Sequence, residues 1–424
     1  MSKKENNTVI KADVAISGGG LVGLTLGCGL AAAGFKVVVA DAQAPEAVLD
    51  AKFDGRSSAI AFASVRLFKA IGVWKHLEAQ AQPIEEIHVT DGNAPLFLHF
   101  DMDHMGTDGA LGQMLENRHT RQGIFHRAKE LKDNLTFIAP DRVVGYEADS
   151  AMAQLKLESG TLIEAPLLIA AEGRNSPLRK VAGIETFGWG YDQWGIVTTM
   201  EHEHPHCGIA HEHFLPEGPF AILPLPGNRS SIVWSTSGEL APEIMKLSDR
   251  AFDAELQRRV GGFLGDVKHI GPRWSYPLTL QAAERYVDNR LCLVGDAAHG
   301  VHPIAGQGLN LGLRDVAALI EVLVDARALG QDIGSEQVVA RYERWRHTDN
   351  VMLAAVMDGL TRLFSNDITP IKLARGAGLA IVEKMPRLKT FFISHARGTF
   401  GDKIPKLLDG EHDNLDVLYK RAAE

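Results

Sequence analysis

The chain has 424 residues, 45% of them hydrophobic and 23% charged, with a formal net charge of −9. This length and composition predict a globular enzyme of two or three domains, and the negative charge argues against nucleic-acid binding. No apolar run reaches the roughly 20 residues that span a bilayer, and residues 1–12 lack the apolar core of a signal peptide, so we expect a cytoplasmic protein whose membrane contact, if any, is peripheral.

The first motif with a chemical meaning is a glycine-rich turn near the N-terminus. A predicted strand over residues 12–17 leads into Gly18–Gly23, and a small-residue helix follows over 24–33. A second strand over 36–40 ends at Asp41. This is the G-x-G-x-x-G dinucleotide fingerprint in its required order of strand, turn, helix, strand and acid.

Each position of this fingerprint has a physical role. Gly18 makes the turn, Gly20 admits a pyrophosphate, and Gly23 lets the helix pack closely on the sheet. Asp41 accepts hydrogen bonds from the adenosine ribose. Leu21 and Val22, which lie between Gly20 and Gly23, are also candidate cofactor-binding residues.

After Asp41, the run Asp54-Gly-Arg56 precedes a predicted helix from Ser57 to about Ile71. A guanidinium forks well onto phosphate oxygens, so Arg56 is chemically suited to contact a phosphate. The alternative is an ordinary surface arginine at a helix start.

The middle of the chain is predicted to alternate between strands and turns. A hairpin turns at Asp91-Gly92, a helix over 120–131 follows Arg118, and a second hairpin turns at Ser159-Gly160. The predicted strands are 84–90, 96–100, 166–170, 194–200, 220–225 and 230–235. A substrate-lining role for His213 or Phe214 is open.

Three histidines in this region raise the question of a metal site. His202, His204 and His206 would share one face of a strand. Alternate histidines along one strand do not readily converge on one ion, so we expect exposed polar positions and no metal.

The longest motif is Gly295 to Asp315. A buried strand over 290–294 ends at Gly295-Asp296, and Gly306-Gln-Gly308 opens a helix with apolar residues at helical spacing. The carboxylate of Asp296 can accept hydrogen bonds from the polyol chain of a flavin. The free amides over Gly306–Leu309 suit the electron-rich pyrimidine edge of its ring.

The C-terminal part is predicted to be helical over 335–357, 358–364 and around 370–382. The segment Arg387–Arg397 mixes basic and aromatic residues, which makes it a candidate for contact with anionic lipid. The pattern favours the alternative, an ordinary amphipathic helix packed on the body of the protein.

These motifs carry a family resemblance. With GGGLVG, DGRSSAIAFASVRLFKAIGVW, LLIAAEGRNSPLR, GPFAILPLP and GDAAH…GQGLNLGLRD, the chain resembles the class A flavin-dependent aromatic hydroxylases. It is most similar to the ubiquinone-biosynthesis hydroxylases, which act on polyprenylated phenols. The matches run nearly the whole length, and HPIAGQGLNLG is highly specific for that family.

The resemblance implies a fold and a reaction. The fold is an α/β, Rossmann-like FAD-binding domain of the PHBH-like, glutathione-reductase type, with an inserted β-sheet substrate domain and a helical C-terminal region. The reaction is hydroxylation of an aromatic ring by O₂ through a flavin C4a-hydroperoxide. FAD is noncovalent, and NAD(P)H or a reductase/ferredoxin system supplies electrons. The expected division is 1–75, 113–183 and 284–340 for FAD; 76–112 and 184–283 for substrate; and 341–424 for the helical region.

The resemblance also implies site residues. Glu172-Gly173 stands where the family has Asp-Gly, a motif that in the family touches both the flavin and the path of the nicotinamide donor; the carboxylate is kept, but it reaches one methylene further. His299 or His302 could assist a phenol proton, but hydrogen-bonded loop histidines are the alternative. The catalytic candidates are His299, Pro303 and Gln307. The cofactor candidates are Gly18, Gly20, Leu21, Val22, Gly23, Asp41, Arg56, Arg118, Glu172, Gly173, Gly295, Asp296, Pro303, Gly306, Gln307, Gly308, Leu309 and Asn310.

Other functions remain open on the sequence alone. They are a flavin hydroxylase of a soluble aromatic compound, a non-oxygenating flavin reductase of the same fold, and a non-catalytic assembly subunit. Other quinone-biosynthesis proteins, the inner-membrane surface and a second copy of the chain are possible partners. The hydroxylated ring carbon is not encoded in any motif.

Overall fold

In the part of the chain that it describes, a computed structural model gives an α/β fold with four sheets. It describes residues 8–49, 53–91, 97–101, 110–215, 217–300, 306–364, 394, 397–399, 404–409 and 414–418. Strands and helices are numbered in chain order. The helices are α1 Leu21–Ala32, α2 Pro45–Leu49, α3 Phe62–Ala70, α4 Asn117–Glu130, α5 Pro177–Val181, α6 Leu240–Lys246, α7 Asp249–Val260, α8 Gln307–Ala328, α9 Glu336–Phe364 and α10 Lys406–Asp409.

The nucleotide-binding part is a mainly parallel sheet in the order β19-β20-β13-β2-β3-β9. Its strands are β2 Val14–Ser17, β3 Val37–Ala40, β9 Leu135–Ile138, β13 Leu167–Ala170, β19 Val287–Asp288 and β20 Leu291–Leu293. The central strands are continuous buried apolar runs, as expected when both faces of a parallel sheet are covered. The strands predicted from the sequence here are confirmed, and α1 begins three residues earlier than predicted.

A second sheet, in the order β1-β12-β11-β10, lies beside it. Its strands are β1 Val9–Lys11, β10 Val143–Ala148, β11 Ala153–Leu157 and β12 Leu162–Ala165. The predicted hairpin at Ser159-Gly160 is confirmed, with Gly160 at a φ of +89°. Buried Leu155 and Ile163 join this sheet to the main hydrophobic core.

The largest sheet has eight strands in the order β21-β18-β14-β17-β16-β15-β6-β7. They are β6 Glu86–Asp91, β7 Phe97–Phe100, β14 Thr186–His202, β15 Ile209–Leu215, β16 Gly218–Leu225, β17 Arg229–Ser237, β18 Val267–Ala283 and β21 His299–Gly300. Helices α6 and α7 contribute Ala241, Phe252 and Leu256 to a separate core beneath it. The strand predictions here are confirmed, while the turn after Asp91 lies outside the described residues.

A small sheet in the order β4-β8-β5 corrects one prediction. Its strands are β4 Ser57–Ala61, β5 Gln82–Ile84 and β8 Gly112–Glu116. The predicted helix from Ser57 is wrong over its first five residues, because β4 pairs with β8 along its whole length and α3 begins only at Phe62. Pairing with a distant strand here overrides the local helical preference of an alanine-rich segment.

The C-terminal region packs on the nucleotide-binding part. The two predicted helices over 335–364 form the single helix α9. In α10, Leu407 and Leu408 are buried in the main core, and the Lys406 amide donates to Glu321 of α8 at 2.9 Å. The helix predicted around 370–382 lies outside the described residues. The proposed division into domains remains a prediction.

Candidate flavin site

The glycine turn is shaped by two close backbone contacts. Gly18 has a φ of +101°, and a Cβ atom built there would lie 2.5 Å from the Ala171 carbonyl oxygen. A Cβ atom at Gly23 would lie 2.0 Å from the Gly18 carbonyl oxygen. At Gly20, by contrast, a Cβ atom would meet nothing within 4 Å. The turn therefore needs glycine at two positions for its own packing and leaves open space at the third.

Helix α1 presents its N-terminus to that space. Its N-cap residue, Gly20, provides no side-chain cap, and its first turn contains no acidic residue. The amides of a first helical turn have no intrahelical acceptors, and the helix dipole favours an anion beside them. This arrangement fits a pyrophosphate group.

A cavity of about 330 Å³ lies directly against the turn. It is lined by Gly19, Gly20, Leu21, Leu24, Asp41, Gln43, Pro45, Leu49, Arg56, Arg121, Ile124, Phe125 and Phe137. The Asp41 carboxylate accepts hydrogen bonds from the Gly19 amide at 2.6 Å and the Gln43 amide at 2.7 Å. These bonds hold the acid at the mouth of the turn, beside walls apolar enough for an adenine ring.

Two arginines border this cavity. Arg56 donates to Asp54 through Nε at 2.9 Å and Nη2 at 2.7 Å, and its guanidinium lies 4.8 Å from the centre of the Trp274 ring. Arg121 makes no hydrogen bond or ion pair within the described part of the chain. Burial and then the nearby Arg56 lower the pKa of Arg121, which is the electrostatic situation that an anionic ligand relieves.

Arg118 of α4 was predicted to bind the cofactor, and Arg121 was not. In the structure, Arg118 donates from Nε to the Glu116 carboxylate at 2.7 Å, and Arg118 is not among the residues that line the cavity. The buried Glu116 carboxylate also accepts a hydrogen bond from Arg229 Nη1 at 3.0 Å. Helical spacing could have indicated Arg121 in the sequence, because it lies three residues beyond Arg118 and therefore on a neighbouring part of the same helix face.

The second motif meets the first at Val22. A Cβ atom built at Gly295 would lie 3.2 Å from Val22 Cγ1, and one at Gly312 would lie 2.7 Å from Val22 Cγ2. The start of α1 therefore packs between the turn after β20 and the first turns of α8. Two motifs that are distant in sequence form one continuous surface.

Beyond that junction, two features suit the flavin end of the cofactor. Asp296 is exposed and has no hydrogen-bond partner among the residues that the structure describes. Helix α8 begins at Gly306, which has a φ of +62° and no side-chain cap, and its first turn lacks acidic residues. A Cβ atom at Gly308 would meet nothing within 4 Å, so the backbone here is open to a flat ligand.

Other predicted residues of this motif are placed differently. Pro303 and His302 lie outside the described residues. Gln307 is buried, and Leu309 packs on the main core. Asn310 is buried with all its hydrogen-bonding capacity used by protein: its Oδ1 accepts from the Ala61 amide and Ser64 hydroxyl, and its Nδ2 donates to the Ala59 and Gly306 carbonyls. The Asn310 side chain thus joins α8 to β4.

His299 belongs to a buried charged cluster. Its Nε2 lies 2.5 Å from Asp315 Oδ2, and Arg346 donates from Nε to Asp315 Oδ1 at 2.8 Å. Burial by itself raises the pKa of Asp315, but His299 and Arg346 outweigh it and hold that pKa at about 2. The same carboxylate accepts from the Gly295 amide at 3.0 Å. The cluster therefore supports the Gly295-Asp296 turn from behind.

Glu172 is likewise held by protein groups. Its Oε1 accepts from the Ser17 hydroxyl, while its Oε2 accepts from the Ser176 hydroxyl and the Leu178 amide. Gly173 has a φ of +82° and open space around its Cα. The longer carboxylate therefore ties β2 to the start of α5, and the path of a nicotinamide donor stays a prediction.

The three histidines considered for a metal do not share a strand face. Strand β14 ends at His202, whose Nδ1 lies 2.7 Å from the His204 carbonyl oxygen. A different group, Glu86, His88 and His99, has ligand atoms within 4.8 Å of one another. Both histidines reach the same Glu86 oxygen at 2.9 Å, so hydrogen bonds account for the arrangement.

Comparison with known proteins decides the family. The model of the FAD binding domain family matches residues 11–353. The ubiquinone hydroxylase of Rhodospirillum rubrum is 51% identical over 401 residues, covering 94% of this chain and 93% of that protein. The chain belongs to the ubiquinone-biosynthesis hydroxylases. This hydroxylase is also 35% identical to the 3-demethoxyubiquinol 3-hydroxylase of Escherichia coli, over 91% of its own length and 98% of the relative's.

Solved structures place the hydroxylase in the same fold as aromatic monooxygenases. The p-nitrophenol 4-monooxygenase of Pseudomonas putida superposes with a TM-score of 0.77 at 18% identity, covering 94% of this chain and all of that one. The anhydrotetracycline hydroxylase of Streptomyces rimosus gives 0.70 at 22% identity, covering 92% of this chain and 76% of that one. The predicted fold class is confirmed, and the cofactor is FAD.

The segment predicted to touch lipid is only partly described. Of Arg387–Arg397, the structure describes Ser394 and Arg397. Arg397 is buried, with its guanidinium 4.0 Å from the centre of the Phe62 ring, so this residue does not offer its charge to a lipid surface. None of the described helices is long and apolar enough to cross a membrane.

Proposed function

We propose that the hydroxylase inserts one oxygen atom from O₂ into the aromatic ring of a polyprenylated phenol in ubiquinone biosynthesis. The observation that carries this is the continuous surface formed where Val22 meets Gly295 and Gly312. It joins an anion site at the start of α1 to an open backbone surface at the start of α8. A dinucleotide with a flat ring at one end is the ligand that such a surface fits.

At the dinucleotide end, the protein binds and positions the pyrophosphate and the adenosine. The amides at the start of α1 hold the pyrophosphate, with Arg56 and Arg121 supplying positive charge. Asp41 accepts from the ribose. Gly18 and Gly23 act indirectly, because they allow the turn to close on α1.

At the ring end, Asp296 holds the ribityl chain and the amides of Gly306–Leu309 hold the pyrimidine edge. The bound flavin supplies the oxygen chemistry, and the protein orients the substrate and excludes water. Pro303 and Gln307 are proposed to border the ring. His299 is proposed to position the Gly295 turn through Asp315, since its Nε2 is bonded to that carboxylate.

The substrate side is the large sheet. The face that packs towards β4 and β8 is apolar there, with Ala210, Leu223 and Leu225 in one cluster with Met114 and Ala59. Ala59 in turn lies next to Gly306: a Cβ atom at Gly306 would be 3.3 Å from the Ala59 Cβ. An aromatic head group bound between this face and the start of α8 would therefore lie beside the flavin.

The test is a cell that lacks the gene for this protein. Quinone extracts analysed by mass spectrometry should contain a prenylated precursor with one oxygen atom too few, and its structure gives the ring position. The wild-type protein should restore ubiquinone. Accumulation of no prenylated phenol would contradict the proposal and favour a soluble aromatic substrate.

We further propose that the hydroxylase meets its substrate at a membrane surface, because a polyprenyl tail partitions strongly out of water. Co-sedimentation with vesicles that contain the polyprenylated phenol should exceed that with plain vesicles. Equal binding to both would contradict a substrate-dependent encounter. Anaerobic addition of NAD(P)H alone distinguishes the two possible electron donors. Bleaching of the flavin would identify NAD(P)H as the direct donor, and an unbleached flavin would favour a ferredoxin system.

A further inference from the structure

Glu212 is a carboxylic acid on the inner face of the large sheet. It lies on β15 and pairs with Ala221 of β16 and with Val89 of β6. Val89 pairs in turn with Leu98 of β7. Residues directly opposite one another share a sheet face, so Glu212 lies in a row of apolar side chains.

This face looks towards the start of α8. Ala210, two residues before Glu212 and therefore on the same face, belongs to the cluster that contains Ala59. Ala59 adjoins Gly306, the N-cap of α8. His211 and its neighbour His88 occupy the opposite face, with their ring centres 5.3 Å apart.

Glu212 makes no hydrogen bond or ion pair within the described residues. Burial raises its pKa from 4.5 to about 7. Along β15 its neighbours on this face are the buried residues Ala210 and Phe214. An acid in apolar surroundings without a partner costs stability, and such groups are concentrated at sites where a ligand supplies the missing partner.

We propose that Glu212 is a catalytic residue: its carboxylate accepts a hydrogen bond from the phenol hydroxyl of the substrate and takes that proton as the ring is hydroxylated. The proposal rests on the function proposed above. Glu212 lies outside all the glycine-rich and acidic motifs from which the flavin site was predicted.

The proton and electron balance is simple. The phenol O–H bond breaks, the proton moves to the Glu212 carboxylate, and the electron pair delocalises from oxygen into the ring. This makes the ortho and para carbons more nucleophilic towards the electrophilic oxygen that the flavin supplies. A C–O bond forms at the attacked carbon as the O–O bond derived from O₂ breaks, and the two electrons that take the second oxygen atom to the level of water come from reduced FAD. The attacked carbon then loses its own proton to that second oxygen, aromaticity returns, and Glu212 gives its proton back to the phenolate oxygen.

Two other charged residues belong to strands of this sheet near Glu212. In backbone register, Asp91 of β6 is opposite Phe214, and Arg229 of β17 is paired with Glu116 at 3.0 Å. Both residues are unchanged in Glu212→Gln, so a pH-dependent limb that disappears in that variant belongs to Glu212.

The decisive variant is Glu212→Gln, with Glu201→Gln as the matched control because Glu201 is an exposed glutamate on the same sheet. Protein with photoreduced FAD is mixed with O₂ and 2-geranylphenol, and hydroxylated product is quantified after one turnover. The amide retains an acceptor oxygen but cannot take a proton, so binding of 2-geranylphenol should persist. The product-forming rate should fall by about 10²- to 10⁴-fold, the usual range for general-base catalysis.

Two further readouts separate this role from a structural one. In the wild type the rate should rise with pH through an apparent pKa near 7 when substrate-free Glu212 ionises, and this limb should be absent in Glu212→Gln. The wild type should also bind 2-geranylphenol more tightly than its O-methyl ether. Glu212→Val should lose that preference while retaining FAD.

The outcomes distinguish the two proposals. A Glu212→Gln enzyme that forms product at the wild-type rate with the same pH profile would overturn the role of Glu212 and leave the proposed function standing. A wild-type enzyme that binds FAD and 2-geranylphenol but forms no hydroxylated product would overturn both.

Discussion

The two ends of the flavin site are built in opposite ways. At the start of α1, backbone amides are proposed to face the ligand, and Gly18 and Gly23 allow the close contacts behind them. At the ring end, buried polar side chains of α8 bond to other parts of the protein: Asn310 accepts from the Ala61 amide and Asp315 from the Gly295 amide. These bonds hold the backbone segments that are proposed to face the flavin ring. Small residues thus shape the backbone at the dinucleotide end, and a scaffold of buried polar side chains shapes it at the ring end.

This contrast follows from the cost of burying polar groups. A buried amide or carboxylate needs partners, and once it has them it fixes the segments it joins. The ring end is assembled from β4, the Gly295 turn, α8 and α9, which are distant in sequence. Side chains that bond across these segments keep them in register.

The largest expected effect is at the scaffold of the ring end. Asp315→Ala leaves the buried Arg346 without its main partner, and breaking a buried ion pair in this way typically costs about 3–5 kcal/mol. Urea unfolding of the FAD-free protein measures this. The control is Asp325→Ala on the same helix, whose partly exposed carboxylate lies 3.4 Å from Arg341 and 3.9 Å from Lys406; these pairs should contribute less than about 1 kcal/mol. Equal losses of unfolding free energy in the two variants would contradict a stabilising role for the buried Asp315–Arg346 pair.

The same cluster predicts a pH dependence. The folded-state pKa of Asp315 is about 2, below its ordinary value of 3.8. Its ion pairs therefore stabilise the fold fully above about pH 4, and the stabilisation is lost as the pH falls towards 2. Between pH 4 and 2 the wild type should lose more stability than Asp315→Asn, as measured by unfolding free energy at each pH.

Two glycine variants should separate packing from ligand binding at the dinucleotide end. Gly23→Ala places a Cβ atom 2.0 Å from a carbonyl oxygen, so we expect a loss of about 1–3 kcal/mol in stability together with loss of FAD. Gly20→Val projects into open space, so the thermal midpoint of the FAD-free protein should stay unchanged while FAD occupancy is lost. Full FAD occupancy in Gly20→Val would show that the pyrophosphate lies elsewhere.

A smaller effect is expected from Asp41→Ala. Loss of one hydrogen-bonded charged group should weaken FAD binding by about 1–3 kcal/mol, which corresponds to about 5- to 150-fold in Kd. Equilibrium dialysis of FAD and of FMN provides the contrast, since FMN lacks the adenosine that Asp41 is expected to hold. A matching loss of FMN affinity would assign Asp41 to the fold of the turn.

The smallest effect should come from Asp296→Ala. One hydrogen bond from the ribityl chain is expected to disappear, worth about 0.5–1.5 kcal/mol of FAD affinity. Because Asp296 is exposed, the stability of the FAD-free protein should not change. A drop in that stability would mean that Asp296 belongs to the scaffold.

Most of the fold could be predicted from the sequence because apolar periodicity and glycine positions are local signals. The strands of the parallel sheet and the start of α8 are of this kind, whereas α1 begins three residues earlier than predicted. Ser57–Ala61 was wrongly predicted to be helical because its strand partner, Gly112–Glu116, lies far away in the sequence. Arg121 and Glu212 were missed for a related reason: only the folded chain shows that each charge lacks a partner.

The most direct test of monooxygenase activity is a single turnover under ¹⁸O₂. Wild-type protein with photoreduced FAD is mixed with 2-geranylphenol and ¹⁸O₂, and the product is analysed by mass spectrometry. We expect one ¹⁸O atom in the aromatic product of the wild type and no labelled product from Gly20→Val. Unlabelled product, or reoxidation of the flavin with no product at all, would contradict a monooxygenase acting on a prenylated phenol.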